Sequence, residues 1–211
     1  MKDLLPLLLV YVYVATLVLI SEKLIKKEFL ARKFLHIMVG NIVFLLPFFE
    51  SREVMAFLAA FPFVVLTFLM TPYSPVKLGS RTTVSGHYLG LFYYSIAWTI
   101  LAFFLFHRMD AISLGIIAMS YGDAFASIVG VRHGKRSFKV FGDTKSLEGS
   151  FAMLLTCIAM FSIVSLYYTG KVEAILFLFA VLATFIEAIT PKGLDNLSVS
   201  LSVAFLYSVV T

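Results

Sequence analysis

DAISLGIIAMSYGDAFASIVG, residues 110–130, is an apolar run of membrane-crossing length that opens on Asp110 and has one further acid inside it, Asp123. A helix crosses about 30 Å of hydrocarbon with about 20 residues, and an ionised side chain at its centre costs about 2.5–3.5 kcal/mol. Asp123 lies about two turns from the end of the run, where the cost falls but does not vanish. Gly122, Ala126 and Gly130 are spaced by four, a small-xxx-small stripe on which a partner helix can approach closely. Asp123 and Ser127, also four apart, share the adjacent stripe and can present oxygen atoms to a cavity. Packing accounts for the glycines. The plain alternative for Asp123 is a helix-end carboxylate that reaches water or pairs with Arg132.

The rest of the chain is of the same kind. It is 61% hydrophobic and 14% charged over 211 residues, with a mean hydropathy of +0.98. Soluble domains are about 45–50% apolar and about 25% charged. Apolar runs occupy roughly 4–21, 34–50, 53–70, 88–106, 110–130, 147–168, 172–190 and 195–211. These predict an all-α, polytopic transmembrane bundle of about eight spans, forming a single domain over 1–211. The run from Leu4 is followed by lysines and has no A-x-A-like cleavage site, so it is expected to be a retained span. The single cysteine, Cys157, lies in an apolar run and offers neither a disulfide nor a cysteine metal site.

Orientation follows from the basic residues, which favour the cytoplasmic side. Of the 17 Lys and Arg, all but Lys2, Arg52, Arg108 and Lys171 fall on one side of this topology, Lys77, Arg81 and Lys192 among them. Both termini are therefore expected outside. The same side gathers the chemistry: Arg32, Lys33 and His36 at the start of the second span, His87 before the fourth and Asp123 in the fifth. Glu148 opens the sixth, Glu187 closes the seventh, and Asp195 with Asn196 opens the eighth. Glu148 and Asp195 also suit helix N-termini for dipole reasons alone. His36 alone could be a histidine bonded to helix backbone, and His107 reads as a loop residue on the outer side.

VRHGKRSFKVFGDTKSLEG, residues 131–149, joins the fifth and sixth spans and is basic. Lysines beside a helix start make an anion site, for which polyphosphate is a natural occupant. Loop lysines touching anionic lipid are the alternative, and Ser146 or Thr144 can cap the helix. Lys135, Arg136, Lys145, Ser146 and Gly149 are the candidates for nucleotide contact, with Arg32 and Lys33. No Walker spacing is present, since GVRHGKR lacks G-x-x-x-x-G-K-[ST]. Acids beside a polyphosphate site imply Mg²⁺, held by one or two carboxylates and the phosphates. His36, His87, His107 and His133 show no zinc-ligand spacing. No nucleic-acid partner is expected.

Four segments together, ARKFLHI (31–37), GDAFASIVGVRHGKR (122–136), DTKSLEGS (143–150) and EAITPKGLDNLSV (187–199), resemble the polyprenol kinase family. That family includes dolichol kinase, phytol kinase and CTP-dependent diacylglycerol kinase, and the resemblance covers most of the chain from about residue 30. It implies CTP-dependent phosphorylation of a membrane isoprenoid alcohol, of dolichol or polyprenol type, at the cytoplasmic face of a cell or endoplasmic-reticulum-type membrane. Gly122 and Asp123 match its G-D-A element. Lys145, Ser146, Glu148 and Gly149 match its K-S-x-E-G element, and Asp195 with Asn196 its D-N. The chain is short beside eukaryotic dolichol kinases, and Glu148 stands where many phytol kinases carry another residue, which leans away from phytol.

In this reading Asp123, Glu148, Asp195 and Asn196 are the metal-ligand candidates. Asp123, Glu187 and His36 are the catalytic candidates, and which acid is base and which binds metal stays open. Geranylgeraniol, phytol or diacylglycerol as acceptor are the nearer alternatives, with CDP-lipid synthesis of the phosphatidate cytidylyltransferase type. A small transporter is the remote one, because transport sites sit near the midplane and these acids crowd one mouth.

Overall fold

Backbone polar groups in hydrocarbon must be satisfied within the chain, which leaves helices as the form for such apolar runs. The computed structural model describes residues 2–76, 89–191 and 193–211. Among these it contains eight helices: α1 (Leu4–Leu24), α2 (Glu28–Phe48), α3 (Val54–Leu69), α4 (Gly90–Phe104), α5 (Met109–His133), α6 (Leu147–Thr169), α7 (Ile175–Ile189) and α8 (Asp195–Val210). Of these α1, α2, α5 and α6 are long and apolar enough to cross a membrane; the other four are shorter apolar helices. The expectations on Lys77, Arg81, His87 and Lys192 lie outside the described residues.

The described helices pack as two compact units, Met1–His107 and Arg108–Thr211. In the first, α1 and α2 run antiparallel. The Asp3 carboxylate accepts from the Glu50 N–H (2.6 Å) at one end, and the Ser21 hydroxyl donates to the Ala31 carbonyl (3.2 Å) at the other. α3 and α4 are antiparallel too, since Phe57 packs on Phe103 (5.4 Å between ring centres) and Phe68 on Phe92 (5.5 Å). The last eight residues of α2, Asn41–Phe48, tighten into a 3-10 helix containing Pro47, whose missing N–H disrupts the α-helical ladder.

In the second unit α5 packs on α6 and α8, and α7 on α6 and α8. Ile112, Leu114, Ile116, Ile117 and Met119 of α5 are fully buried, as are Met153 and Phe161 of α6 and Val199 and Val203 of α8. Outward surfaces are just as apolar: Leu5, Leu8 and Val12 of α1, Phe151 and Leu166 of α6, and Phe177 and Leu178 of α7 are exposed. Such surfaces suit lipid and not water. α6 ends on Gly170 in the left-handed region (φ 72°), and α7 ends before Pro191, as the restriction on residues preceding proline requires.

Between α5 and α6 the chain departs from helix. Ser137–Val140 (β1) and Asp143–Ser146 (β2) form an antiparallel pair with Phe138 opposite Lys145. Its two-residue turn, Phe141 and Gly142, has φ of 46° and 92°, the double positive φ of the hairpin turn that matches strand twist.

The small residues of α5 meet its neighbours directly. A Cβ on Gly122 would lie 2.8 Å from the Cys157 sulfur of α6, and one on Gly149 of α6 would lie 2.7 Å from the Ala126 carbonyl. α6 is thus the partner of the Gly122–Ala126–Gly130 stripe. Further up α5, a Cβ on Gly115 would collide with the Ser200 carbonyl of α8 and sit 2.9 Å from the Ala204 Cβ. We expect Gly115→Val to destabilise by about 1–3 kcal/mol through overpacking. Gly170→Ala, with nothing within 4 Å, should cost only about 1 kcal/mol of backbone strain. Thermal scans in detergent compare the two, and equal losses would contradict the close α5–α8 contact.

Candidate active site

Three carboxylates of the second unit converge. Asp123 closes a π-helical stretch, Ala118–Asp123, inside α5, a feature frequent at functional sites. Glu187 lies in the last turn of α7 and Asp195 opens α8; the turn between them passes through Gly193 at φ 79°. All three are buried, and a carboxylate oxygen from each lies within 4.8 Å of the others. Asn196, also buried, follows Asp195, and its N–H donates to the Asp195 carboxylate (3.0 Å).

The β-hairpin supplies the counter-charge. The Lys145 ammonium donates to Glu187 Oε1 at 2.6 Å and to the Glu187 carbonyl, and lies 3.5 Å from Asp195 Oδ2. Its side chain is only 11% exposed. Burial pulls the ammonium pKa down, but Glu187 and Asp195, helped by Asp123, outweigh it and hold Lys145 above its ordinary value. The three acids and Lys145 carry a net charge of two negative when ionised. Each ionised carboxylate pair at this spacing repels by about 3 kcal/mol at an effective dielectric of about 20. A divalent cation matches the deficit, and carboxylate oxygens so close suit the compact oxygen shell of Mg²⁺.

Other sequence candidates sit elsewhere. The Glu148 carboxylate accepts the N–H groups of Lys135 (3.1 Å) and Arg136 (3.2 Å), so it clasps the base of the hairpin and is not one of the three clustered acids. Leu147 N–H closes the same corner on the Arg136 carbonyl (3.0 Å). The side chains of Lys135 and Arg136 are exposed. Ser146 caps α6: its hydroxyl accepts from the Gly149 N–H (3.1 Å), while Gly149 lets α6 approach α5. Arg32, Lys33 and His36 belong to the first unit. His36 is buried there, its ring 4.4 Å from that of Tyr94, and the Tyr94 hydroxyl donates to the His36 carbonyl (3.2 Å).

The hairpin that delivers Lys145 escaped the sequence reading, which took 131–149 as a basic loop. Its signal was present in the alternation of SFKV and DTKS about a Phe-Gly turn. The direct Lys145–Glu187 pairing had no local signal, because the partners lie 42 residues apart. Breaking a buried pair by removing one member costs about 3–5 kcal/mol. Lys145→Met should therefore destabilise by that order, and Glu187→Gln added to it should recover part of the loss. A thermal double-mutant cycle measures the coupling, and strictly additive losses would contradict the pair.

No family model matches the chain, and no solved structure matches it. Similar curated proteins are found. A phytol kinase of Synechocystis sp. is 31% identical over 135 residues, covering 61% of this chain and 58% of that protein. A probable chloroplastic phytol kinase of Zea mays is 30% identical over 215 residues, covering 89% of this chain and 69% of the relative. A probable chloroplastic phytol kinase 2 of Glycine max is 30% identical over 211 residues, covering 89% and 68%. The match thus spans somewhat over half of the cyanobacterial protein and about two thirds of each plant protein. Likeness on this scale to phytol kinases, together with the four motif segments, shows that the chain belongs to the polyprenol kinase family.

Proposed function

We propose that the chain is a membrane kinase that transfers the γ-phosphoryl group of CTP to the hydroxyl of an isoprenoid alcohol. The observation that carries this is the buried set Asp123, Glu187, Asp195 and Lys145. The names of the relatives move the acceptor from the dolichol type expected above to a phytol-sized alcohol. The proposed topology has all eight helices entering the membrane with both termini outside. The reaction then occurs at the cytoplasmic face of a cell or endoplasmic-reticulum-type membrane.

Phosphoryl transfer asks a protein for positioning and charge neutralisation more than for covalent chemistry. Asp123, Glu187 and Asp195 would hold Mg²⁺, which when bound offsets the charge of the triphosphate. Lys145, mounted on the hairpin, exchanges its contacts with Glu187 and Asp195 for phosphate oxygens as the nucleotide enters. The exposed Lys135 and Arg136, their backbone set by Glu148, add positive charge at the rim. One carboxylate of the cluster accepts the hydroxyl proton as the alcohol oxygen bonds to the γ-phosphorus. The bond from that phosphorus to the bridging oxygen breaks, and CDP leaves.

Purified protein with Mg²⁺, CTP or ATP, and phytol, geranylgeraniol, dolichol or diacylglycerol tests the reading. Label from γ-³²P-CTP should enter the lipid; label entering only from the α position would make the chain a cytidylyltransferase. Asp123→Asn should lower turnover by about 10²-fold or more, the scale of losing one charge-stabilising group in an active site. Full turnover in that variant at saturating Mg²⁺ would refute the assignment.

A further inference from the structure

The acids of the second unit come with a cation of their own. An ammonium has three N–H donors and no acceptor, and Lys145 uses all three inside the cluster. It donates to Glu187 Oε1 at 2.6 Å, to the Glu187 carbonyl, and to Asp195 Oδ2 at 3.5 Å. Held so, it has no donor left for a phosphate oxygen. The role that the kinase reading gives Lys145 therefore requires another group to take these contacts over.

Charge selects that group. Asp123, Glu187 and Asp195 each bring an oxygen within 4.8 Å of the others, and one ammonium answers only one of three ionised carboxylates. It touches two of the acids, and its contact with Asp195 is the long one. A divalent cation draws on the same carboxylates, brings twice the charge and takes oxygen from all three in a compact shell. The two cations thus compete for Glu187 and Asp195.

The hairpin lets Lys145 leave without unfolding. Phe138 pairs with it across the strands, and the next residue, Ser146, caps α6. The Glu148 carboxylate fastens the base of the hairpin through the N–H groups of Lys135 and Arg136. Only the flexible four-carbon stem has to swing, and it stays tethered beside the cluster.

We propose that Lys145 is a placeholder for the divalent cation: metal and ammonium exclude each other from Glu187 and Asp195, and the ammonium that the metal releases is the one that captures phosphate. Metal and triphosphate binding are then linked through one side chain, each strengthening the other by the same factor. The displacement needs only the cluster. The identity of the anion rests on the kinase reading, and the test separates the two.

Amine footprinting reads the position of Lys145 without turnover. Full-length protein in nanodiscs is treated with a water-soluble acylating reagent, and the modified lysines are located by mass spectrometry. The exposed Lys135 and Lys139 serve as references. Lys145, only 11% exposed, should label slowly alone and about tenfold faster with saturating Mg²⁺, inside the usual span of coupling between sites. It should label slowly again when tripolyphosphate is added with Mg²⁺ kept in excess. Mn²⁺ binding without nucleotide, followed by electron paramagnetic resonance, is the second arm. Lys145→Met should bind Mn²⁺ about tenfold more tightly than the unaltered protein and gain more thermal stability from it; a lysine that served packing alone would leave binding weaker when removed. Lys145 labelling indifferent to saturating Mg²⁺, or Mn²⁺ binding unchanged or weaker in folded Lys145→Met, overturns the proposal. Should the variant not fold, the footprint of the unaltered protein decides by itself. Should Mg²⁺ expose Lys145 while tripolyphosphate fails to cover it again, the kinase reading fails and the displacement stands. Should γ-labelled CTP phosphorylate an alcohol while labelling ignores Mg²⁺, the displacement fails alone.

Discussion

The contact between Lys145 and the carboxylates of Glu187 and Asp195 organises the second unit. Each of these groups alone would be expensive in apolar surroundings, and together they are still short of positive charge. That shortage constrains everything around them. The hairpin must turn so that Lys145 points inward, α7 must end where Glu187 meets it, and the turn after Pro191 must place Asp195 at the first position of α8. Glu148 and Ser146 serve the same constraint at one remove, by tying the hairpin base and the start of α6 into one corner. What remains is a buried cluster with a net negative charge.

The two units divide the demands of the proposed reaction. The second concentrates ionisable groups in a small buried space, and the first is lined almost wholly by apolar side chains around a cavity of about 140 Å³. A lipid kinase must handle one substrate that is almost entirely charge and another that is almost entirely hydrocarbon.

Much of this was legible in the sequence, and what was not has physical causes. The eight apolar runs foretell the eight described helices because hydrocarbon admits little else. The start of α2 was read six residues late, since Glu28, Arg32 and Lys33 resemble a loop until their helix is seen. Asp123, Glu187 and Asp195 were all singled out by the cost of an acid in or beside an apolar run. Glu148 was grouped with them because charge topology sorts residues by side of the membrane and not by partner. It takes coordinates to see that backbone N–H groups at 135 and 136 already claim it. A cavity of about 140 Å³ lined by α1–α4 residues such as Val10, Leu46, Phe63 and Trp98 was invisible for a related reason: apolar residues lining a space and apolar residues filling one have the same composition.

The π-helical stretch before Asp123 has a consequence for how α5 shares itself among neighbours. One residue more per turn advances the phase of every later side chain by about 100° relative to a continuous α-helix. Upstream of it, Gly115 lies against Ser200 of α8; at and beyond it, Gly122 and Ala126 lie against Cys157 and Gly149 of α6. The inserted residue therefore works as a gear change, letting a single rod mesh with two partners on different bearings. A one-residue deletion there would leave hydropathy untouched yet turn the aspartate out of its cluster, so insertions and deletions at 118–123 should be far scarcer among relatives than their apolar character suggests.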